Sequence, residues 1–272
     1  MVRLVHPFPS ILDGLVVAAV ALLAGGGPVV AGRLAASMTA LQFAIGALND
    51  IVDARADAGR VPAKPIPGGL VTAAGARLAV VLFVAIGLGL APPIGPWMLL
   101  LGLLGLAIGF AYDLFAKGTP WSWLPFAIGI PLLPVYGWFG ASGALPSFFA
   151  ALVPMAVLAG AALAIANARA DLDADVRAGT RSVATTLGPD RSWWADAVLM
   201  TAAIVIGVAF IGRTGWGVPS YPLVGAGIAV VLAGLALGRR HDRRARTRAW
   251  EAQAVGAAIA AVGWIAAMTA FA

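Results

Sequence analysis

T39-A-L-Q-F-A-I-G-A-L-N-D-I-V-D-A-R-A-D57 begins as an apolar helix and ends in a cluster of carboxylates. From Ile11 to Leu48 the chain is almost wholly apolar, and then Asn49, Asp50, Asp53 and Asp57 arrive within nine residues. The first part reads as a membrane span and the second as its end at the water. The composition agrees: 61% of residues are hydrophobic and 11% charged, with a mean hydropathy of +0.94, where a soluble domain carries about 25% charged residues. This is the composition of an integral membrane protein. Cysteine is absent, which excludes disulfides and thiolate metal sites. The two histidines, His6 and His241, lie far apart and form no metal-ligand pattern.

A helix needs about 20 mostly apolar residues to cross the hydrocarbon core. That length picks out nine spans, at 10–30, 33–50, 70–91, 95–113, 122–141, 147–170, 194–212, 219–238 and 250–271. The first is read as a retained span rather than a cleaved signal, since Arg3 is the only positive residue before a long apolar run. Gly/Pro links such as A91-P-P-I-G-P96 separate several spans, and glycines within them suit close helix packing. With the N-terminus inside, 16 of the 18 basic residues fall on the inner side, and only Arg33 and Arg213 fall outside. The positive-inside rule fixes that orientation, so the high pI of about 10.7 reflects topology and not nucleic-acid binding. Eight of the nine tryptophans, all but Trp264, fall near span ends, as a lipid-interface belt requires.

This topology places a second polar cluster, N167-A-R-A-D-L-D-A-D175, at the inner end of the sixth span. Both clusters repeat Asn and Asp at i, i+4 and i+8: Asn49, Asp53 and Asp57, then Asn167, Asp171 and Asp175. On a helix these residues lie on neighbouring faces; Asp50 adds to the first face and Asp173 points away from the second. Like charges at i,i+4 destabilise a helix, and acids near a bilayer are costly. A divalent cation offsets both costs. Oxygen-only donors select Mg²⁺ or a similar hard ion, which commonly shares itself with substrate phosphates. Two such clusters, facing one another, suit one polyphosphate held through bridging ions. As ordinary helix ends, the acids would instead pair with Arg55, Arg169 or Arg177.

After the first cluster comes R60-V-P-A-K-P-I-P-G-G69, in which prolines favour an extended path and the paired glycines allow close approach of backbone to a ligand. Arg60 and Lys64 are therefore candidate phosphate ligands, as is Arg181 in G179-T-R-S-V after the second cluster. Y112-D-L-F-A-K117 ends the fourth span on the same side, adding Tyr112 and Lys117. The run R239-R-H-D-R-R-A-R-T-R248 is accounted for by anchoring at the membrane surface and receives no catalytic role.

N49-D-I-V-D-A-R-A-D57, R60-x-x-x-K64-P-x-P-x-G, Y112-x-x-x-x-K117 and N167-x-x-x-D171-x-x-x-D175-x-x-x-G179, in this order, resemble the signature of the UbiA superfamily of intramembrane prenyltransferases. The resemblance spans the chain as a single domain, residues 1–272. It implies an all-α bundle of about nine transmembrane helices around a central cavity, capped by cytoplasmic loops, in the cell membrane. It also implies an isoprenyl diphosphate donor held by two Mg²⁺ ions. Asn49, Asp53 and Asp57 would bind one ion, and Asn167, Asp171 and Asp175 the other. Arg60, Lys64, Lys117 and Arg181 would contact the diphosphate, with Tyr112 beside it, and Asp50 would orient the acceptor or take its proton. Many members carry Arg-Pro near the start of the first helix; this chain reads H6-P-F-P9, with Arg3 three residues earlier.

The implied chemistry is ionisation of an allylic diphosphate, assisted by metal and cationic side chains, inside an apolar cavity that excludes water. Phe43, Phe110 and Phe115 are candidates to stabilise the allyl cation. The acceptor is an aromatic ring or another electron-rich group. Three other readings compete. An alcohol phosphotransferase would need more than the fragment D53-A-R55. A divalent-cation transporter would place its acids near the bilayer midplane, not at span ends. A related cyclase would carry the same motifs.

Overall fold

Gly25 (φ 81°) and Gly27 (φ 65°) divide the first apolar stretch, taking the left-handed backbone that glycine adopts without strain. The computed structural model describes residues 4, 6–59, 63–91, 94–212 and 220–270. In it, α1 spans Pro7–Leu23 and α2 Gly27–Asp53. The first helix thus stops short of the predicted 10–30, and the second starts earlier than the predicted 33–50, because the turn falls at the glycines. Pro28, at the start of α2, needs no helical N–H there.

The remaining helices are α3 (Ala73–Gly89), α4 (Pro96–Ala111), α5 (Leu124–Gly129), α6 (Leu132–Ser142), α7 (Phe149–Ala170), α8 (Leu172–Ala178), α9 (Val183–Leu187), α10 (Pro189–Ile211), α11 (Tyr221–Leu237) and α12 (Arg243–Thr269). A π-helical turn, Tyr112–Ala116, extends α4. The predicted span 122–141 is interrupted at Ile130 and Pro131, where proline lacks the N–H that a continuous helix needs. The last helix begins before the predicted 250 because the Asp242 side chain accepts from Ala245 N–H (2.8 Å) and caps it.

Among the described residues there is no strand. Six helical stretches among the described residues are long and apolar enough to cross a membrane; α1, α3 and α11 are shorter apolar helices of 17 residues each. The exposed apolar side chains run along helix faces: Leu78, Val81 and Leu82 on α3, and Trp194, Val198, Val205 and Val208 on α10. Such stripes are lipid-facing surface, and helices satisfy their own backbone groups within lipid. The chain is an all-α, multi-pass membrane protein.

The helices form two compact units, residues 1–114 with 132–144 and residues 115–131 with 145–272. In the first, α2 packs against α1, α3, α4 and α6. Ser37 on α2 anchors this core, hydrogen-bonding the Gly87 carbonyl and the Tyr136 hydroxyl, each at 2.7 Å. An apolar cavity of about 360 Å³, lined by Gly14, Thr39, Phe43 and Phe83 among others, lies in this unit. In the second unit, α7 packs against α5, α9, α10 and α12, and α11 lies along α12. A Cβ on Gly256 of α12 would stand 2.7 Å from the Gly227 carbonyl of α11, so the two backbones meet where only glycine fits.

Candidate active site

The first carboxylate cluster lies at the C-terminal end of α2. Asn49, Asp50 and Asp53 belong to the helix, whereas Asp57 follows in a turn whose N–H still bonds to the Asp53 carbonyl (2.9 Å). Asp50 and Asp57 are buried, at 2% and 3% exposure. Lys64 Nζ donates to Asp50 Oδ1 at 2.8 Å and lies 3.8 Å from Asp57 Oδ2. One ammonium thus serves two buried carboxylates. His6 Nε2, from the residue capping α1, lies 3.2 Å from the same Asp50 oxygen. The residue that precedes α1 therefore reaches this cluster through its imidazole; its φ of 45° is unusual outside glycine. Arg60, a predicted diphosphate ligand, lies outside the described residues.

Lys64 is held by folded backbone and not by the extended segment that its prolines suggest. Gly68 N–H bonds to the Lys64 carbonyl (2.8 Å), and the N–H groups of Leu70 and Val71 share the Pro65 carbonyl at 3.0 and 3.1 Å. Gly69, at φ 71°, closes these turns. Turn hydrogen bonds override the local preference of the prolines for an extended path.

Asn49 donates through Nδ2 to Asp113 Oδ1 at 2.7 Å. Asp113 is buried in the π-helical turn between Tyr112 and Lys117. Asp113 is not among the site residues expected from sequence, although an Asp at the end of an otherwise apolar span is a signal for it. Tyr112 opens the same turn, and Lys117 follows it. Phe43 stacks edge-on against Phe83 (5.3 Å), Phe110 packs against the Leu41–Leu106 core, and Phe115 is exposed.

In the second unit, α7 ends at Ala170 and α8 begins at Leu172, so Asp171 sits at a break (φ −103°, ψ 5°) between Asn167 and Asp175. The helix of the first cluster therefore ends before its third member, Asp57, and that of the second breaks at its second member, Asp171. Arg243 Nη2 donates to Asp171 Oδ1 and Arg246 Nη2 to Asp173 Oδ2, both at 2.8 Å. Two arginines of the basic run that sequence reading treated as a surface anchor thus hold two acids of this cluster. The Asp171 pair is solvent-exposed at 60% and 42%, a setting in which an ion pair is worth about 0–1 kcal/mol. Asp171 is accordingly cheap to detach. Arg169, which would pair with these acids were they ordinary helix ends, is buried and joins three helix ends instead. It donates to the Pro189 carbonyl, to Ser192 Oγ (2.7 Å) and to the Gly238 carbonyl (2.8 Å). Arg181 is exposed.

Among the described residues, no three His, Asp or Glu side chains converge closely enough to hold a metal ion unaided. Magnesium usually takes one or two carboxylates and completes its octahedron with waters and phosphate oxygens. The oxygen-only donor set fits that ion. Asp50 Oδ2, outside that donor set, is a buried carboxylate oxygen with no hydrogen-bond partner, an atom that calls for a proton donor or ligand of its own.

Known proteins share this sequence pattern and this fold. The model of the UbiA prenyltransferase family matches residues 14–260. A digeranylgeranylglyceryl phosphate synthase of Methanopyrus kandleri is 34% identical over 119 residues, which is 43% of this chain and 44% of that protein. The chain therefore aligns with less than half the length of this relative. A protoheme IX farnesyltransferase of Thermofilum pendens is 29% identical over 210 residues, 73% of each chain. The apo structure of a UbiA homologue from Aeropyrum pernix superposes with a TM-score of 0.74 at 25% identity, covering 95% of this chain and 98% of that one. A homologue from Archaeoglobus fulgidus, solved bound to GPP and Mg²⁺, shares the fold with a TM-score of 0.67 at 18% identity, covering 98% of both chains.

Proposed function

The chain belongs to the UbiA prenyltransferase family, and from that premise we propose that it moves an isoprenyl group from a polyprenyl diphosphate to an electron-rich acceptor with the help of Mg²⁺. The observation that carries this reading is the buried Asp50–Lys64–Asp57 group at the end of a membrane helix. It combines metal-type oxygens with an ammonium that can turn from carboxylate to phosphate.

Asn49, Asp53 and Asp57 would hold one ion, and Asn167, Asp171 and Asp175 the other. Bound magnesium would supply stabilisation of the charge that develops on the departing diphosphate. Lys64 donates to a diphosphate oxygen as a point charge, together with Arg60, Lys117 and Arg181, and Tyr112 positions the same group. Asp50 orients the acceptor and takes its proton through the carboxylate oxygen that Lys64 and His6 leave open. The apolar helix faces receive the isoprenoid tail and keep water from the allyl cation. The excess of basic residues on one side supports a cell-membrane orientation with the N-terminus and the site cytoplasmic.

The test is incubation of purified protein with radiolabelled geranylgeranyl diphosphate, with and without Mg²⁺, and a pooled panel of aromatic and polar acceptors. The expected result is a Mg²⁺-dependent prenylated product, lost in Asp53→Asn and in Asp171→Asn. Conversion of the donor to an acceptor-free hydrocarbon would instead make the protein a cyclase. No binding or consumption of any donor length would overturn the reading.

A further inference from the structure

None of the described residues assigned above to metal, diphosphate or acceptor lines a second cavity, which lies in the second unit. This cavity, of about 980 Å³, is walled by α8, the start of α10 and the link between α11 and α12. Among the described residues, Arg169, Arg177, Arg239, Arg240 and Arg246 line it, against two acids, Asp173 and Asp190. Its charge is therefore strongly positive, and two details show that it is built and not a chance gathering of surface arginines. The Arg239 guanidinium lies 4.2 Å over the Trp193 ring, and that ring is fixed by its own Nε1–H donating to the Leu235 carbonyl at 3.0 Å. Arg246 is 6% exposed, and its Nε–H is buried with no hydrogen-bond partner. A buried guanidinium donor left unpaired is costly, and a phosphate oxygen is the acceptor that arginine forks match best.

The margin of the cavity identifies the kind of phosphate. Val176 and Trp194 line it and are 62% and 57% exposed, and Val198 continues the exposed face one turn along α10. Tryptophan belongs at the level of lipid headgroups, and basic pockets between helices on the cytoplasmic side take anionic headgroups. Free phosphate would satisfy the arginines and leave this apolar margin unused. We propose that the cavity is a binding site for the phosphate headgroup of an anionic phospholipid, with the acyl chains lying along Val176, Trp194 and Val198.

Native mass spectrometry of the detergent-purified protein tests this, with phosphatidylglycerol, phosphatidylcholine or inorganic phosphate added. Wild type is expected to retain phosphatidylglycerol over phosphatidylcholine, and excess inorganic phosphate is expected not to displace it. Arg239→Ala with Arg240→Ala should weaken phosphatidylglycerol retention about fivefold per arginine removed, with the lysine pair at the same positions restoring most of it. Arg240→Gln keeps the Arg239–Trp193 stack and serves should the double variant fail to fold; its loss should be about fivefold alone. Equal retention of both lipids, or no loss in the folded variants, would overturn the proposal. Displacement by inorganic phosphate alone would overturn the lipid as occupant and assign the arginines to a soluble phosphate.

Discussion

Lys64 faces two buried carboxylates with one ammonium, 2.8 Å from Asp50 and 3.8 Å from Asp57. If it exchanges these for a diphosphate oxygen during turnover, Lys64→Met removes a charged donor aimed at the leaving group. Losing one such donor costs about 10²–10³ in rate, so kcat/KM for the prenyl diphosphate should fall by about 10²-fold. Lys64→Arg should recover little, because a planar fork does not replace a compact charge between two acids. Steady-state kinetics on both variants decides it, and a methionine variant with wild-type kcat/KM would remove Lys64 from the site. Asn49 raises a different question, one of stability. Its Nδ2–H bond to buried Asp113 is short, at 2.7 Å, and Asn49→Ala takes a donor from a buried carboxylate. The expected loss is about 1–3 kcal/mol, read as a lower thermal midpoint in detergent. Asp113→Asn, which keeps a carbonyl oxygen for the same donor, should lose less.

At the scale of the helices, Arg169 and Asp242 set how the second unit is tied together. Arg169 bonds to carbonyl or hydroxyl groups at the ends of α10 and α11 from the last turn of α7. Arg169→Met strands those acceptors inside the protein, and about 2–4 kcal/mol of stability should go with them, since bonds to a charged donor exceed neutral ones. Asp242→Ala removes only the cap of α12, which is worth about 1 kcal/mol. Denaturation of the two variants in one detergent should show the arginine change to be much the larger, and the reverse ranking would mean that α12 rests on its cap. The helices themselves were readable because long apolar runs leave few alternatives in a membrane. Their ends were less so: the turn at Gly25–Gly27 and the break at Pro131 occur inside runs that remain apolar throughout, so hydropathy does not register them. The site divides in the same way. Asp50 and Lys64 announce themselves as polar residues beside apolar sequence, and the structure brings them together. The contacts of His6 with Asp50, Asn49 with Asp113 and Arg243 with Asp171 join residues 44, 64 and 72 positions apart. No spacing rule reaches that far along a chain, and such pairings follow from how helices pack.

For the whole molecule, function depends on which side of the membrane the carboxylates face, since a magnesium diphosphate cannot cross the hydrocarbon core. The turn that carries Asp57 and the loop that carries Lys64 lie in the segment between α2 and α3, with Arg55 and Arg60, whereas residues 143–148, after α6, carry no charge at all. Basic residues stay on the cytoplasmic side, so these two segments should lie on opposite faces. The absence of cysteine makes that directly measurable, because any introduced thiol is the only one present. Ala58 and Ala144 are both exposed, one in each segment. A membrane-impermeant maleimide should label Ala144→Cys in intact cells and Ala58→Cys only after the membrane is opened. Labelling of Ala58→Cys from outside would put the carboxylate end of α2 on the far side, and a cytoplasmic diphosphate could not then be the substrate. If the expected pattern holds and both variants keep prenyl transfer, the inner end of α2 and a cytoplasmic pool of donor are on the same side, as the proposed reaction requires.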